Sequence, residues 1–143
     1  MTTPLAPALP TRTEIIRRLR ADPDLAALVA SRIYPGKLPN ARAFPFVMVP
    51  APISQPRQYD GGSGGADLSG VVHCFTAPIA SLPDPEKGAA DINAHVVRIL
   101  GETDTLIAGG ASLSITAGRA MVMRDPDEAD GWHGVVTYGA SAS

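Results

Sequence analysis

The sequence of 143 residues has one cysteine, no long apolar run and few aromatic residues, and each shortage excludes a class of protein. Cys74 alone cannot form a disulfide within the chain, which argues against a secreted, disulfide-stabilised domain. No segment approaches the roughly 18 to 20 apolar residues that cross a bilayer, and the first ten residues lack the basic start of a secretory signal. We therefore expect a soluble protein made in the cytoplasm.

Charge is also scarce and is unevenly distributed. The formal net charge of -2 excludes a generally basic nucleic-acid coat. Residues 1–42 carry seven basic and three acidic side chains, a net of +4, so the rest of the chain is acidic. Such a subunit can dock its basic part on the acidic part of a neighbour or on another acidic partner. Alternatively, the arginines are only the solvated face of the first helix.

Apolar spacing predicts three helical segments. The first follows a capping box of Thr11 and Glu14, and the second runs from the Asp22-Pro23 pair to about Ala30. The third has apolar residues at helical spacing from Asp84 to Leu100 and ends before a glycine.

Short apolar or alternating runs predict four strands, at about 46–49, 67–76, 112–124 and 132–138, with a bulge near Gly118 in the third. The order α-β-β-α-β-β predicts an α+β domain. We expect a mainly antiparallel four-stranded sheet, packed by the N-terminal helical region and by a helix between strands two and three. The expected organisation is a flexible N-terminal arm at 1–10 and a single domain at 11–143.

Two polar connections are candidate interaction segments. Glycine and proline contribute 14 residues each, and they crowd into 51–65, which predicts a long mobile loop of a kind usually kept for function. The turn at 125–131 is acidic and could hold a divalent cation, but its spacing does not fit an EF-hand. A solvated hairpin tip is the favoured interpretation of this turn.

The sequence offers little for catalysis. Ser63 lies in a glycine run that matches the pattern around a hydrolase nucleophile, but a strand follows it where that chemistry needs a helix. His73 and Cys74 are neighbours in a strand and so face opposite ways, and the histidines lack close metal-ligand spacing. We predict no catalytic, cofactor or metal site. Met121 and Met123 are expected in the core.

One stretch resembles a known family. Residues 25–36 read LAALVASRIYPG, and Leu38-Pro39 and the run Phe44-Pro45-Phe46-Val47 follow. An amphipathic helix, an Arg-Ile-Tyr-Pro turn and a proline-led strand in this order resemble the tail-completion family of long-tailed phages, also called tail terminators or head-tail joining proteins. The resemblance extends more weakly through 71–75, 86–100 and 132–138, whereas the glycine run and the proline-rich 77–85 depart from it.

The resemblance implies a structural virion protein, not an enzyme, that assembles in the host bacterial cytoplasm and binds no cofactor or membrane. It implies a hexameric ring that ends the tail tube and joins it to the head-neck connector or stopper protein, with DNA passing through the channel without sequence recognition. The alternatives are a small cytoplasmic hydrolase using Ser63 or Cys74, or another adaptor of a phage-derived particle such as a gene transfer agent. Charge and loop patterns give these interface candidates: Arg17, Arg18, Arg20, Arg57, Tyr59, Gly61, Gly62, Gly64, Gly65, Asp127 and Glu128.

Overall fold

The computed structural model of the chain describes residues 6–40, 42–59, 62–102 and 104–143, with the backbone alone at 58, 59 and 62–64. In these residues three helices form, α1 (Ala8–Ala21), α2 (Pro23–Val29) and α3 (Pro85–Leu100). None of the helices in the described ranges has the length and apolarity required to traverse a membrane.

Two of the predicted helix starts are confirmed. The Asp22 carboxylate accepts a hydrogen bond from the backbone N–H of Leu25 at 3.0 Å, and Asp84 accepts one from Lys87 at 3.1 Å. Each aspartate is followed by a proline, whose missing N–H costs nothing in the first helical turn.

Helix α1 starts differently from the prediction. It begins at Ala8, inside the expected arm, and the N–H of Thr11 donates to the carbonyl of Pro7 at 2.8 Å. The Thr11 hydroxyl is buried and has no hydrogen-bond partner among the described residues, so the predicted capping box does not form there. Glu14 binds arginines instead, as described below. Residues 1–5 of the arm lie outside the described residues.

Seven strands of the described residues form one mixed sheet that curls into a half-barrel. The strand order is β1-β2-β4-β7-β6-β5, and β3 pairs with the first half of β4. The β1–β2 pair is parallel and the other pairs are antiparallel. The strands are β1 (Ile33–Tyr34), β2 (Phe46–Met48), β3 (Ile53–Tyr59), β4 (Gly62–Thr76), β5 (Thr105–Leu106), β6 (Ser112–Arg124) and β7 (Trp132–Ala142).

The prediction of a four-stranded, mainly antiparallel sheet in the order α-β-β-α-β-β is therefore wrong. Strands β1 and β5 have two residues each, too few to show an alternating pattern. The segment 51–65 is a strand pair, β3 with the start of β4, where the sequence predicted a loop. The prolines and glycines of this segment are typical of loops, so the sequence did not predict a strand. Pro56 is tolerated because β3 is an edge strand, where a residue without an N–H can be accommodated.

All three helices cover one face of the sheet, the helix face. Alternate residues of the long strands, such as Leu68, Val72 and Val136, pack there against Ile92 and Val96 of α3 in the main core. The residues between them, such as His73 in β4, point to the other face, the open face, on which none of the described helices packs. The described residues thus form a two-layer structure, with helices on one face of the sheet.

The β6–β7 hairpin confirms two predictions. The register shifts between Ala117 and Ala120, which is the bulge expected near Gly118. A Cβ at Gly118 would lie 2.5 Å from the hydroxyl of Thr137, so this backbone approach requires glycine. The turn that joins the strands contains the predicted acidic segment.

Candidate assembly surfaces

The exposed side of α1 forms a basic groove, here called the α1 groove. It has a volume of about 770 Å³. Arg20 donates to the carbonyl of Ile33 at 2.7 Å, which fixes that guanidinium at the end of the groove. Arg17 lies beside it, 60% exposed. The groove is lined by Arg12, Thr13, Ile16, Arg17, Arg20, Ala21 and Pro35.

Arg18, predicted to lie at an interface, points into the protein instead. It is 2% exposed and contacts the carboxylate of Glu14 at 3.3 Å and the carbonyl of Leu100. The Glu14 carboxylate also accepts from Arg17 at 2.8 Å, and this hydrogen bond, supported by Arg18, lowers the pKa of Glu14. Arg18 therefore joins α1 to the end of α3, and the outward positive charge comes from Arg17 and Arg20.

The acidic turn, residues 125–130, lies at the far end of β6 from the end that pairs with β5. Its backbone folds locally, because the N–H of Asp127 donates to the carboxylate of Asp125 at 3.0 Å. Asp127 and Glu128 are exposed, and among the described residues neither forms an ion pair. Their charges are therefore available to an external partner.

The β3–β4 hairpin carries the remaining predicted interface residues. Arg57 crosses β4 and donates to the hydroxyl of Ser141 at 3.0 Å, and its Nε lies 3.5 Å from the carboxylate of Asp67. Gly65 has φ +89°, and a Cβ there would lie 2.2 Å from the carbonyl of Ala142. Arg57 thus holds the hairpin against β7. Tyr59, Gly62 and Gly64 belong to its strands, and Gly61 lies outside the described residues.

A cluster of Asp22, Asp24 and His95 has the geometry of a metal site, with ligand atoms within 4.8 Å of one another. However, Arg98 already donates to both Asp22 oxygens, at 2.8 and 2.9 Å. These bonds lower the pKa of Asp22 to about 2. The negative charge is thus balanced by a guanidinium, and the arrangement is best explained as a joint between α2 and α3.

The candidate nucleophile Cys74 is unsuited to catalysis. Its side chain is 1% exposed and faces the carbonyl of Ala89 and the amide of Asn93. Burial raises the pKa of the Cys74 thiol to about 12, so the reactive thiolate is disfavoured at neutral pH. His73 points to the open face, as the strand alternation predicted, and cannot serve Cys74 as a base. The side chain of Ser63 lies outside the described residues.

The open face carries a ladder of stacked rings that sequence reasoning missed. The Nδ1 of His73 and the Nε2 of His133 lie 2.8 Å apart, and the His133 ring stacks on Phe75 with centroids 4.5 Å apart. Burial lowers the pKa of both histidines, which keeps them neutral near pH 7. Met121 and Met123, expected in the core, are 44% and 39% exposed on this face. The alternation of β6 was recognised, but the face that the helices cover was not.

The sequence of residues 13–142 matches the family described as tail completion protein gp17. Among solved structures, a chain of "Virion of native gene transfer agent (GTA) particle" is similar, with 25% identity and a TM-score of 0.73. The alignment covers 99% of this chain and 98% of that one. A second solved chain, with 16% identity and a TM-score of 0.43 over 92% of this chain and 95% of its own, is too distant to bear on function. None of the curated proteins matches the sequence.

Proposed function

Since the chain belongs to the family of tail completion protein gp17, we propose that it forms a ring, a hexamer, at the head-proximal end of a tail. The chain is a structural, virion-associated tail component. In the proposal the ring ends the tail tube and joins it to the head-neck connector or stopper protein, after assembly in the host cytoplasm. The observation that carries the proposal is the family match over nearly the whole domain, supported by a virion protein of the same fold.

Opposite charges on different parts of the chain support a ring. A closed ring of identical subunits needs heterologous contacts, in which one patch meets a different patch on the next copy. The α1 groove offers Arg12, Arg17 and Arg20, and the acidic turn offers Asp127 and Glu128. We assign the turn of one copy to the α1 groove of its neighbour.

Within one chain the acidic turn lies far from the start of α1, which supports a contact between different copies. The start of α1 borders β5, because Leu9 and Leu106 line one groove, and β5 pairs with the first residues of β6. The acidic turn follows Arg124, the last of the 13 residues of β6, about 35 Å farther along the strand. The turn therefore projects away from the start of α1.

Charge reversal tests this assignment. The double variant Arg17→Glu/Arg20→Glu should assemble less than the wild type at low salt, because both sides of the contact become acidic. Adding Asp127→Arg and Glu128→Arg should restore assembly, and Lys87→Glu, on the exposed start of α3, is a charge-reversal control outside both patches, to be compared with each single variant. Sedimentation velocity at several salt concentrations measures the result. Assembly that is unchanged by the double variant at low salt would rule out the contact.

The hairpin of β3 and β4 is the proposed contact with the tube or the neck. The first four residues of β4, 62–65, extend past Ala142 of β7, since Ala142 pairs with Ala66. A partner can fix such a segment by supplying contacts. Amide hydrogen exchange at 57–65 should slow on assembly into particles. Equal exchange rates in the free and assembled states would remove this role.

DNA that passes through the ring should be contacted only through its backbone charge. No base-reading element was found in the sequence, so binding should be independent of DNA sequence and weaken steeply with salt. Selection from random DNA should yield no consensus, and recovery of a defined site would contradict this part of the proposal.

A further inference from the structure

The sheet has two long unpaired edges on different strands. Among the described residues, β5 covers only Ser112 and Leu113 of β6 and no other strand pairs with its outer edge from residue 114 to 124. β3 pairs with β4 on one side, and in the described residues its other side meets no strand. Long free edges pair readily with other strands unless prolines, charges or bulges block them. The open part of β6 has no proline, lysine or acidic residue, although it contains Arg119, Arg124 and the bulge near Gly118, and the carbonyl of Met121 accepts a hydrogen bond from Asn93 at 3.0 Å.

We infer that β3 of one copy pairs with the open edge of β6 in the next copy and so continues the sheet from subunit to subunit. This inference rests on the proposed ring. The two edges are different surfaces, as a ring requires, and each copy offers one of each. Pairing of this kind adds main-chain hydrogen bonds between subunits.

Strand direction supports the pairing. Across the sheet, β3, β4, β7 and β6 are each antiparallel to the next. β3 and β6 therefore run in opposite directions, because the unit has an even number of alternating strands. When cyclic symmetry places a copy beside its neighbour, the neighbour's β3 meets β6 in the antiparallel sense, and the alternation continues unbroken.

The exposed apolar side chains select a register. Within one chain Ile53 lies in the same row across the sheet as Ser69, Gly139 and Thr116. If the neighbouring copy is displaced by four such rows along β6, its Ile53 lies opposite Met121. Its β3 then does not overlap β5. Ile53 is 75% exposed and Met121 44%, and both lie on the open face, so this register covers two of the most exposed apolar side chains together.

The same displacement of four rows is compatible with closure of the continuous sheet into a ring. Four residues along the strands are about 13 Å, and four strands across are about 19 Å. The resulting tilt is about 35°, within the range of strands in closed barrels.

On the helix face the neighbour's strand would meet a shallow groove between α3 and β6. The groove has a volume of about 250 Å³, and half of its six lining residues are alanines, Ala90, Ala94 and Ala120; the others are Asn93, Met121 and Val122. The residues of β3 that point to this face are Ser54 and Pro56, which are also small. Pro56 supplies a carbonyl but no N–H, so the ladder has one potential bond fewer at that position.

Cysteine cross-linking tests the register. The double variant Ile53→Cys/Met121→Cys should form disulfides between chains under mild oxidation and give a ladder of covalent oligomers on a non-reducing gel. Within one chain the two positions are separated by β4 and β7, about 14 Å across, which exceeds the reach of a disulfide. Cys74 is buried and should not react. The control Ile53→Cys/Leu106→Cys, exposed but on β5, should give no ladder.

The possible outcomes distinguish a failure of the edge pairing from a failure of the proposed ring. Sedimentation of the same variant reports assembly, and amide exchange at residues 114–122 of the wild type should slow at least tenfold in the assembled state. A ring that forms without cross-links and without this protection would overturn the edge pairing and leave the ring intact. A chain that stays monomeric at high concentration and is absent from purified particles would overturn the proposed function, and the edge pairing with it.

Discussion

Removing the charge of Asp22 should weaken the joint between α2 and α3 by an amount that depends on pH. The substitution Asp22→Asn keeps an oxygen that can cap α2 and removes the ion pair with Arg98. The pKa of Asp22 falls from 3.8 to about 2 in the folded chain, which corresponds to at most about 2.5 kcal/mol. Because the Arg98 side chain is 48% exposed, solvent screening reduces the expected loss to about 1 kcal/mol.

The sign of the pH dependence follows from the direction of the shift. A carboxyl whose pKa is lowered by folding stabilises the protein fully above its unfolded pKa, near 3.8, and loses this effect as the pH falls through about 2. Urea unfolding followed by circular dichroism should show the deficit of Asp22→Asn at pH 7 and a much smaller one near pH 2. Wild-type stability of the variant at pH 7, or an equal deficit at both pH values, would refute the reasoning.

Three further predictions concern the interior. Arg18→Ala should cost about 3 kcal/mol because it removes a side chain that is 2% exposed and that joins Glu14 to the carbonyl of Leu100, whereas Arg17→Ala, at a side chain that is 60% exposed, should cost less than about 1 kcal/mol; urea midpoints compare them. Gly134→Ala should lower the free energy of unfolding by about 1–3 kcal/mol, since its Cβ would lie 2.4 Å from the sulfur of Cys74. Gly36→Ala, whose Cβ would have its nearest atom at 4.0 Å, should change it by less than about 0.5 kcal/mol; thermal unfolding compares the two variants. Cys74 should react with a thiol reagent at least a hundredfold more slowly in native buffer than in urea, and equal rates would show that it is accessible.

The sequence predicted those elements whose signal is local. The helix start at Asp84 is set by a carboxylate next to a proline, and the bulge near Gly118 is set by a glycine in an alternating strand. Strand β3 was missed because its prolines and glycines are typical of loops, and only pairing with β4 makes it a strand. The two-residue strands β1 and β5 likewise depend on partners distant in sequence.

The candidate surfaces were predicted only in part, because the direction of a side chain depends on contacts that are distant in sequence. The distribution of charged residues predicted the basic first helix and the acidic turn. It did not predict that the Arg18 side chain points inward to Glu14. The exposure of Met121 could not be predicted from β6 alone, since it depends on which sheet face the helices cover. The family resemblance rested on the turn after α2 and on β2, and the family match extends it to residues 13–142.

Locating the chain in intact particles tests the central claim most directly. Particles that carry a small C-terminal tag can be labelled with gold and imaged by electron microscopy. The account predicts label in a single cluster at the junction of head and tail, and free heads and unjoined tails when the chain is deleted. Label along the whole tube or at the distal tip, or normal joined particles without the chain, would contradict it.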